Sequence, residues 1–349
     1  MVAAILSKPV EGSGYKYSLK VQEYTTPAPQ SGEAVVKIQA AALNHRDVWI
    51  LKGLYPGIVE GSVVGSDCVG ILSEPGSSSV QAGQRVLISP SVNWEKDPRG
   101  PEGRFSILGL LPSPGTLADT INIDGKEIFP CPAHLSTYEA AALPLAGLTA
   151  FRALFTKSEV QSGDHVLIPG IGGGVALFAL QFAVAAGAHV YVTSSSEEKI
   201  KNAISLGAKG GINYKDPNAD KELKKLLNGN LLSAVVDGSG GALFNQYIKV
   251  MRTGGIITQY GQTASPKGVG FNMGAVLKNI DFRGSTMGSR AEFKQMLEFV
   301  DKHKIKPIVS HVFNGLTQEN MDKAISVIDA GQQTGKVVLE INENARSNL

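Results

Sequence analysis

Cysteine is nearly absent: Cys68 and Cys131 are the only two in 349 residues. Two thiols make at most one bridge, which excludes a disulfide-stapled scaffold, and no Cys-x-x-Cys pair is there to build a zinc ribbon. Reduced, buried thiols in a cytoplasmic protein are expected. Charge of one sign is also lacking. Lys and Arg total 33 against 31 Asp and Glu, a net charge of +2. There is no broad basic field and no aromatic-interleaved basic stretch, so no nucleic-acid partner is expected. No run approaches the ~18 apolar residues that a membrane helix needs. The apolar start is too short for a secretory signal and is cut off by Pro9. The tail Ser347-Asn348-Leu349 lacks the basic middle residue of a peroxisomal address and reads as an ordinary chain end. Internal repeats and low-complexity tracts are missing too. With 18% charged and 43% hydrophobic residues the chain is expected to fold, and at ~100–200 residues per domain its length predicts about two domains. Glycine is what abounds: 40 residues, above the usual ~7%, as tight turns and close backbone approach require.

The pattern changes along the chain. Residues 1–135 read as β-rich, with short apolar or alternating runs at 34–40, 63–72 and 85–89 separated by Gly, Pro and Ser clusters. Residues 90–116 carry five prolines and four glycines and form a long irregular excursion. Ser136 with Glu139 fits a capping box that opens a helical stretch to about 155, kinked at Pro144. From 164 strands alternate with helices: strands at 164–169, 189–193, 211–214, 232–237 and 255–260, helices at 170–186, 197–206, 220–227 and 243–251. That alternation means right-handed βαβ units and a parallel sheet. A further strand is expected at 279–285, an amphipathic helix at 292–303 and a closing strand at 336–341. The three segments are 1–135, 136–287 and 288–349, the last returning to the first.

The turn Gly170-Ile171-Gly172-Gly173-Gly174-Val175 lies between the first strand of the β/α region and its helix, where a dinucleotide pyrophosphate binds to backbone amides and the helix start. The spacing present is G-x-x-G-x-x-A, at Gly170, Gly173 and Ala176, rather than G-x-G-x-x-G. An NAD site places Asp or Glu at the tip of the second strand. Here the tip holds Ser194, Ser195 and Ser196, with Lys199 one turn further on. Hydroxyls and an ammonium suit a 2′-phosphate, so NADPH is the expected cofactor. Against it stand Glu197 and Glu198, for which the serines could simply cap the helix.

Ordered motifs run from about residue 2 to 341: Ala42-Leu43-Asn44-His45-Arg46-Asp47, Gly65-Ser66-Asp67-Cys68-Val69-Gly70, Gly115-Thr116-Leu117-Ala118-Asp119, the stretch from Ala140 to Ala150, the Gly173-Gly174-Val175 loop, Ile212-Asn213-Tyr214, Val235-Val236-Asp237 and Gly335-Lys336-Val337-Val338. Together they resemble the medium-chain dehydrogenase/reductase superfamily, and within it the zinc-lacking quinone oxidoreductase, or zeta-crystallin-like, branch. The resemblance implies an α/β protein: a GroES-like β-rich catalytic domain interrupted by a Rossmann domain with a doubly wound parallel sheet. It also implies a homodimer, with 280–285 as the edge strand that would pair with its twin.

By the same resemblance, the first catalytic-zinc cysteine becomes Asn44, the His-Glu pair becomes Ser66-Asp67, and the later cysteine falls near Leu145; the structural zinc lobe would fall in 90–116, which has no cysteine. No bound metal is expected, although His45, Asp47 and Asp67 form a second-choice cluster. Asn44 would offer amide hydrogens to substrate and Asp47 would orient the network on the nicotinamide side. Trp49 and Tyr55 would be wall residues, and Arg46 and His45 neighbouring donors. Further cofactor contacts are expected at Thr149, Tyr214, Gly238, Tyr260, Gly261, Thr286, Met287 and Lys336. Without a Lewis acid, hydrogen-bond donors must meet the oxyanion or enolate left by hydride transfer, which favours quinones and α,β-unsaturated carbonyls. The expected activity is therefore an NADPH-dependent, zinc-independent reduction of a small carbonyl or quinone substrate. An enoyl thioester reductase and a zinc-type alcohol dehydrogenase-like enzyme are the alternatives.

Overall fold

The computed structural model describes residues 1–110, 113–241, 244–263 and 272–342; the tail at Ser347-Asn348-Leu349 lies outside them. The chain divides into two compact units, Met1–Ala146 with Gly288–Leu349, and Gly147–Met287. The second unit thus begins at Gly147, and the first resumes at Gly288. The helix Thr137–Ala142 packs on the strands Glu33–Leu43 and Asp67–Glu74 of the first unit. Its inner face is Ala140, Ala141 and Ala142, all fully covered, and small side chains let a helix lie close on a sheet. The capping box forms as read: the Ser136 amide donates to Glu139 Oε2 at 2.8 Å and the Glu139 amide to Ser136 Oγ at 3.3 Å. Pro144 then starts a new helix, Pro144–Phe151, whose continuation Arg152–Lys157 widens into a π-helical turn.

The first unit is built on a seven-stranded sheet. Its order is Val309–Asn314, Lys336–Glu340, Glu33–Leu43, Asp67–Glu74, Arg85–Ile88 and Ile128–Pro130, with Thr120–Asp124 also paired to Glu33–Leu43. Ala34, Val36 and Ile38 alternate inward along Glu33–Leu43 and are fully buried, the period of a half-covered strand. Residues 90–116 include a two-stranded ribbon, Ser91–Val92 against Ser106–Ile107. The Glu102 carboxylate gathers the amides of Glu95, Lys96 and Asp97 at 2.6–2.7 Å, and those donors hold its pKa down at about 2. Trp94, 1% exposed, donates its ring N–H to the Asp97 carbonyl at 2.9 Å and meets Phe105 edge to face.

The second unit carries six parallel strands in the order Gly210–Asn213, His189–Ser194, His165–Ile168, Leu232–Asp237, Met251–Gln259, Asp281–Gly284. Numbered along the chain from His165 this is 3-2-1-4-5-6, the doubly wound arrangement, with its switch point between His165–Ile168 and Leu232–Asp237. Val166, Leu167 and Ile168 have no exposed surface, as expected of a central parallel strand covered on both faces. Among the described residues no helix is long and apolar enough to cross a membrane.

Candidate active site

Strand register assembles the site of the first unit. Ala42 pairs with Asp67, and Leu43 with Val337. Asn44, Asp67 and Lys336 therefore meet at one end of three neighbouring strands, although 292 residues separate the outer two in sequence. The Lys336 ammonium donates to the Leu43 carbonyl at 2.7 Å, to Asn44 Oδ1 at 2.6 Å and to Asp67 Oδ2 at 2.8 Å. Asp67 also receives Asn44 Nδ2 at 2.9 Å on Oδ2 and the Leu145 amide at 2.6 Å on Oδ1. Thr116 Oγ1 donates to the Asp67 carbonyl at 3.0 Å. Lys336 is 4% exposed and Asp67 wholly buried.

Two expectations change here. An ammonium has three hydrogens, and all three of Lys336 are taken inside the unit, so it is not available as the cofactor contact expected of it. Asn44 is committed as well: Oδ1 accepts from Lys336, and Nδ2 faces Asp67 and, at 3.4 Å, Ser66 Oγ. Its amide orients the ion pair, and any donation to substrate would compete with these partners.

The positions that correspond by resemblance to zinc ligands thus hold Asn44, Ser66, Asp67 and Leu145, with a lysine ammonium among them. Zinc requires thiolate, imidazole or carboxylate lone pairs, and a cation already spans the two best oxygens, so these residues do not fit the metal. The second-choice cluster does not form either: His45 is exposed and meets Trp49 edge to face at 5.5 Å, while Asp47 is buried. Among the described residues there is no group of three or more His, Cys, Asp or Glu that could hold a metal. Cys68 faces the hydrophobic core. Burial and the Asp67 carboxylate push its thiol well above the ordinary value.

Asn44 precedes the helix His45–Leu51, and its amide donates to Asp47 Oδ2 at 2.8 Å. Asp47 is 2% exposed, and its Oδ1 has no hydrogen-bond partner among the described residues. Burial raises its pKa, with Arg46 as the main opposing charge. Trp49 is half-buried against His45, and Tyr55, also half-buried, lies under the Arg46 guanidinium.

In the second unit the glycine turn has the form a phosphate needs. Gly173 is the N-cap of the helix Gly174–Ala185 and brings no side-chain cap, and the first turn holds no acid, so the leading amides face no acceptor from a capping side chain. Gly172 sits at φ +133, and a β-carbon there would lie 2.8 Å from Lys199 Cδ and 3.2 Å from its Nζ. The Lys199 side chain thus lies against the turn at Gly172. Thr193 ties the turn down: its Oγ1 accepts from the Gly170 amide at 3.2 Å and its carbonyl from the Ile171 amide at 2.8 Å. At the tip of the second strand Ser196 caps the helix Glu197–Ser205, Ser194 is buried and accepts the Ser196 amide, and Ser195 is exposed. Tyr214 is exposed, with its amide on the Ser194 carbonyl.

Asp237 was not among the candidates, although its place at the tip of the fourth strand is a sequence signal. Buried, it accepts from the amides of Ser239 and Gly240 and from Ser239 Oγ, and so pins the turn at the switch point. A β-carbon on Gly238 would fall 2.4 Å from the Tyr260 ring, so that ring and the Gly238 backbone must pack directly; Gly261 follows it, half-buried. Thr149 and Met287 are brought together, with Oγ1 3.8 Å from Sδ. Met287 is buried with φ +43, a left-handed conformation that non-glycine residues seldom adopt, and Thr286 beside it is exposed. A pyridine nucleotide bound along this turn would supply a hydride, and the uncapped helix start fits its pyrophosphate.

Residues 174–302 match the family model described as zinc-binding dehydrogenase, and residues 30–133 the alcohol dehydrogenase GroES-like domain. The chain is 41% identical to the zinc-type alcohol dehydrogenase-like protein YogA of Leptosphaeria maculans, over 96% of this chain and 98% of that protein. It is 28% identical to the acryloyl-coenzyme A reductase of Metallosphaera sedula, over 95% and 99%. A crystal structure of an NAD-dependent alcohol dehydrogenase superimposes with a TM-score of 0.87 at 32% identity, covering 98% of this chain and all of that one. With the 3-2-1-4-5-6 sheet, the GroES-like unit and the glycine turn already in view, these likenesses make the chain an oxidoreductase that belongs to the medium-chain dehydrogenase/reductase superfamily.

Proposed function

We propose that this protein is an NADPH-dependent, zinc-independent reductase of α,β-unsaturated carbonyls or quinones, of the quinone oxidoreductase kind. The observation that carries the reading is the buried Lys336 ammonium bonded to Asn44 and Asp67. The positive charge at this position belongs to the chain, and a saturated ammonium cannot bind an alkoxide as a Lewis acid does. Simple alcohols lose most by that exchange. Activated alkenes and quinones lose least, because their conjugation spreads the arriving charge. Lys199 beside the glycine turn and the exposed Ser195 at the second strand tip support NADPH over NADH. Thr149 and the strained Met287 would flank the nicotinamide, and Asp237 would hold the facing turn. The likeness to an acryloyl-coenzyme A reductase favours a second reading, an enoyl thioester as the acceptor, which leaves the same conjugated C=C–C=O group to be reduced. We further propose a cytoplasmic homodimer: both cysteines are free, and the edge strand Asp281–Gly284 carries an exposed Phe282.

The test is NADPH and NADH oxidation by purified protein with trans-2-hexenal, 1,4-benzoquinone and crotonyl-coenzyme A, and NADP⁺ reduction with 1-hexanol, alongside elemental analysis. The expected result is NADPH-dependent reduction of an enal, quinone or enoyl thioester that survives dialysis against a chelator. Stoichiometric zinc with alcohol oxidation that the chelator abolishes would overturn the reading.

A further inference from the structure

With Asn44 and Lys336 committed to each other and to Asp67, the donor that meets the acceptor oxygen has to come from elsewhere, and among the described residues of the first unit Arg46 is a candidate with unused capacity. Arg46 is 7% exposed. Its Nη1 donates to the Leu108 carbonyl at 2.9 Å, and its guanidinium carbon lies 5.4 Å from the centroid of the Tyr55 ring. Nε and Nη2 are buried and have no hydrogen-bond partner among the described residues. These two nitrogens lie along one edge of the planar fork, so their N–H bonds point the same way, the geometry with which arginine takes an oxygen acceptor. Buried donors left unsatisfied destabilise a fold, and a native structure that keeps two on one side chain needs a reason.

The charges nearby agree. Lys336 and Asp67 neutralise one another directly. Asp47, next to Arg46 in the chain, accepts the Asn44 amide on Oδ2 and makes no hydrogen bond to the guanidinium among the described residues. Of the two residues it touches, Tyr55 is the one expected as a wall residue, and Leu108 lies in the 90–116 excursion. Tyr55, whose ring faces the guanidinium, is half-buried.

We propose that Arg46 binds the carbonyl oxygen of the acceptor through its Nε–Nη2 edge, and so selects substrates whose reducible C=C is conjugated to an oxygen. The inference rests on the enone and quinone reading above. The acceptor's β-carbon takes the hydride, its π electrons move to the oxygen as an enolate, and the α-carbon then takes a proton from water. Arg46 transfers nothing; it meets the charge where it collects.

The experiment compares wild type, R46M and R46K as full-length proteins. It measures thermal midpoint, NADPH binding by fluorescence, and kcat and KM with trans-2-hexenal. R46M should keep or raise the thermal midpoint, because it removes two unsatisfied buried donors, and should bind NADPH as wild type does. Its kcat/KM should fall by about a hundredfold or more, mostly in kcat, as for loss of an oxyanion donor. R46K, which keeps the charge without the fork, should recover only part of it. If R46M keeps kcat within about threefold while wild type reduces the enal, the Arg46 assignment fails and the reductase reading stands. If R46M loses activity and thermal midpoint together and R46K restores both, Arg46 is a packing residue and the assignment fails. If wild type reduces no conjugated carbonyl or quinone with NADPH, the reductase reading itself falls and the assignment with it.

Discussion

Replacing Lys336 with methionine keeps most of the aliphatic stem and removes the charge from a pair that has almost no access to water: Lys336 is 4% and Asp67 0% exposed. Removing one partner of a buried ion pair costs about 3–5 kcal/mol, because the other charge stays behind uncompensated. Asp67 would still receive the Leu145 amide and Asn44 Nδ2, which places K336M at the lower end, about 3 kcal/mol. That is about a hundredfold in the unfolding equilibrium at ~1.36 kcal/mol per factor of ten. With a urea dependence of ~1–3 kcal/mol per molar, the midpoint should drop by about 1 M or more. Adding D67N removes the stranded charge, and the double variant should recover at least about 1 kcal/mol of the loss. The assay is urea unfolding followed by tryptophan fluorescence, since Trp49 and Trp94 both report on the first unit. A K336M cost below about 1 kcal/mol would refute the pairing argument, because that is the size of an exposed pair. A double variant less stable than K336M would refute it too.

Three further outcomes can be checked. K199A should raise the KM for NADPH by about tenfold, the size of one charge-assisted phosphate contact, and leave that for NADH unchanged; equal effects would reject the 2′-phosphate role. Burial raises the Asp47 pKa above its unfolded value, so the folded state holds that proton more tightly. The stability Asp47 contributes is then fully present below the unfolded pKa near ~3.9 and is lost as pH rises through the raised folded value. Wild type should accordingly lose stability relative to D47N as pH rises from about 4, and a flat or rising difference in urea midpoints would count against it. Arg290 holds the buried Glu127 in a two-pronged pair, at 2.7 and 3.2 Å. R290M should lower stability by about 3 kcal/mol, with partial recovery in R290M/E127Q, and a loss below about 1 kcal/mol would show that the partly wet arginine matters little.

The β/α half of the fold was readable because local rules and global topology agree there. The strands expected at 189–193 and 232–237 are His189–Ser194 and Leu232–Asp237, and the helix at 197–206 is Glu197–Ser205 with its serine cap in place. These elements announce themselves by apolar runs and caps spaced along the chain. The returning segment was harder to read. The helix Gln318–Asp329 and the strand Val309–Asn314 were not foreseen, and Val2–Ser7 with Ser18–Glu23 was passed over as well, since each owes its burial to partners far away in sequence.

The site divides along the same line. That residues 170–175 form a glycine turn into a helix, that no thiol or imidazole set is at hand for zinc, and that Lys199 stands one turn beyond the serines follow from residue identity and spacing, which a linear chain displays. That Lys336 fills its three bonds with Leu43, Asn44 and Asp67, that Asn44 has little left to give a substrate, and that Arg46 keeps an unpaired edge are properties of strand register and burial. Antiparallel pairing of Val337 with Leu43 brings residues nearly three hundred positions apart to within hydrogen-bond reach. Only that closure decides which donors are already satisfied and which remain for an acceptor.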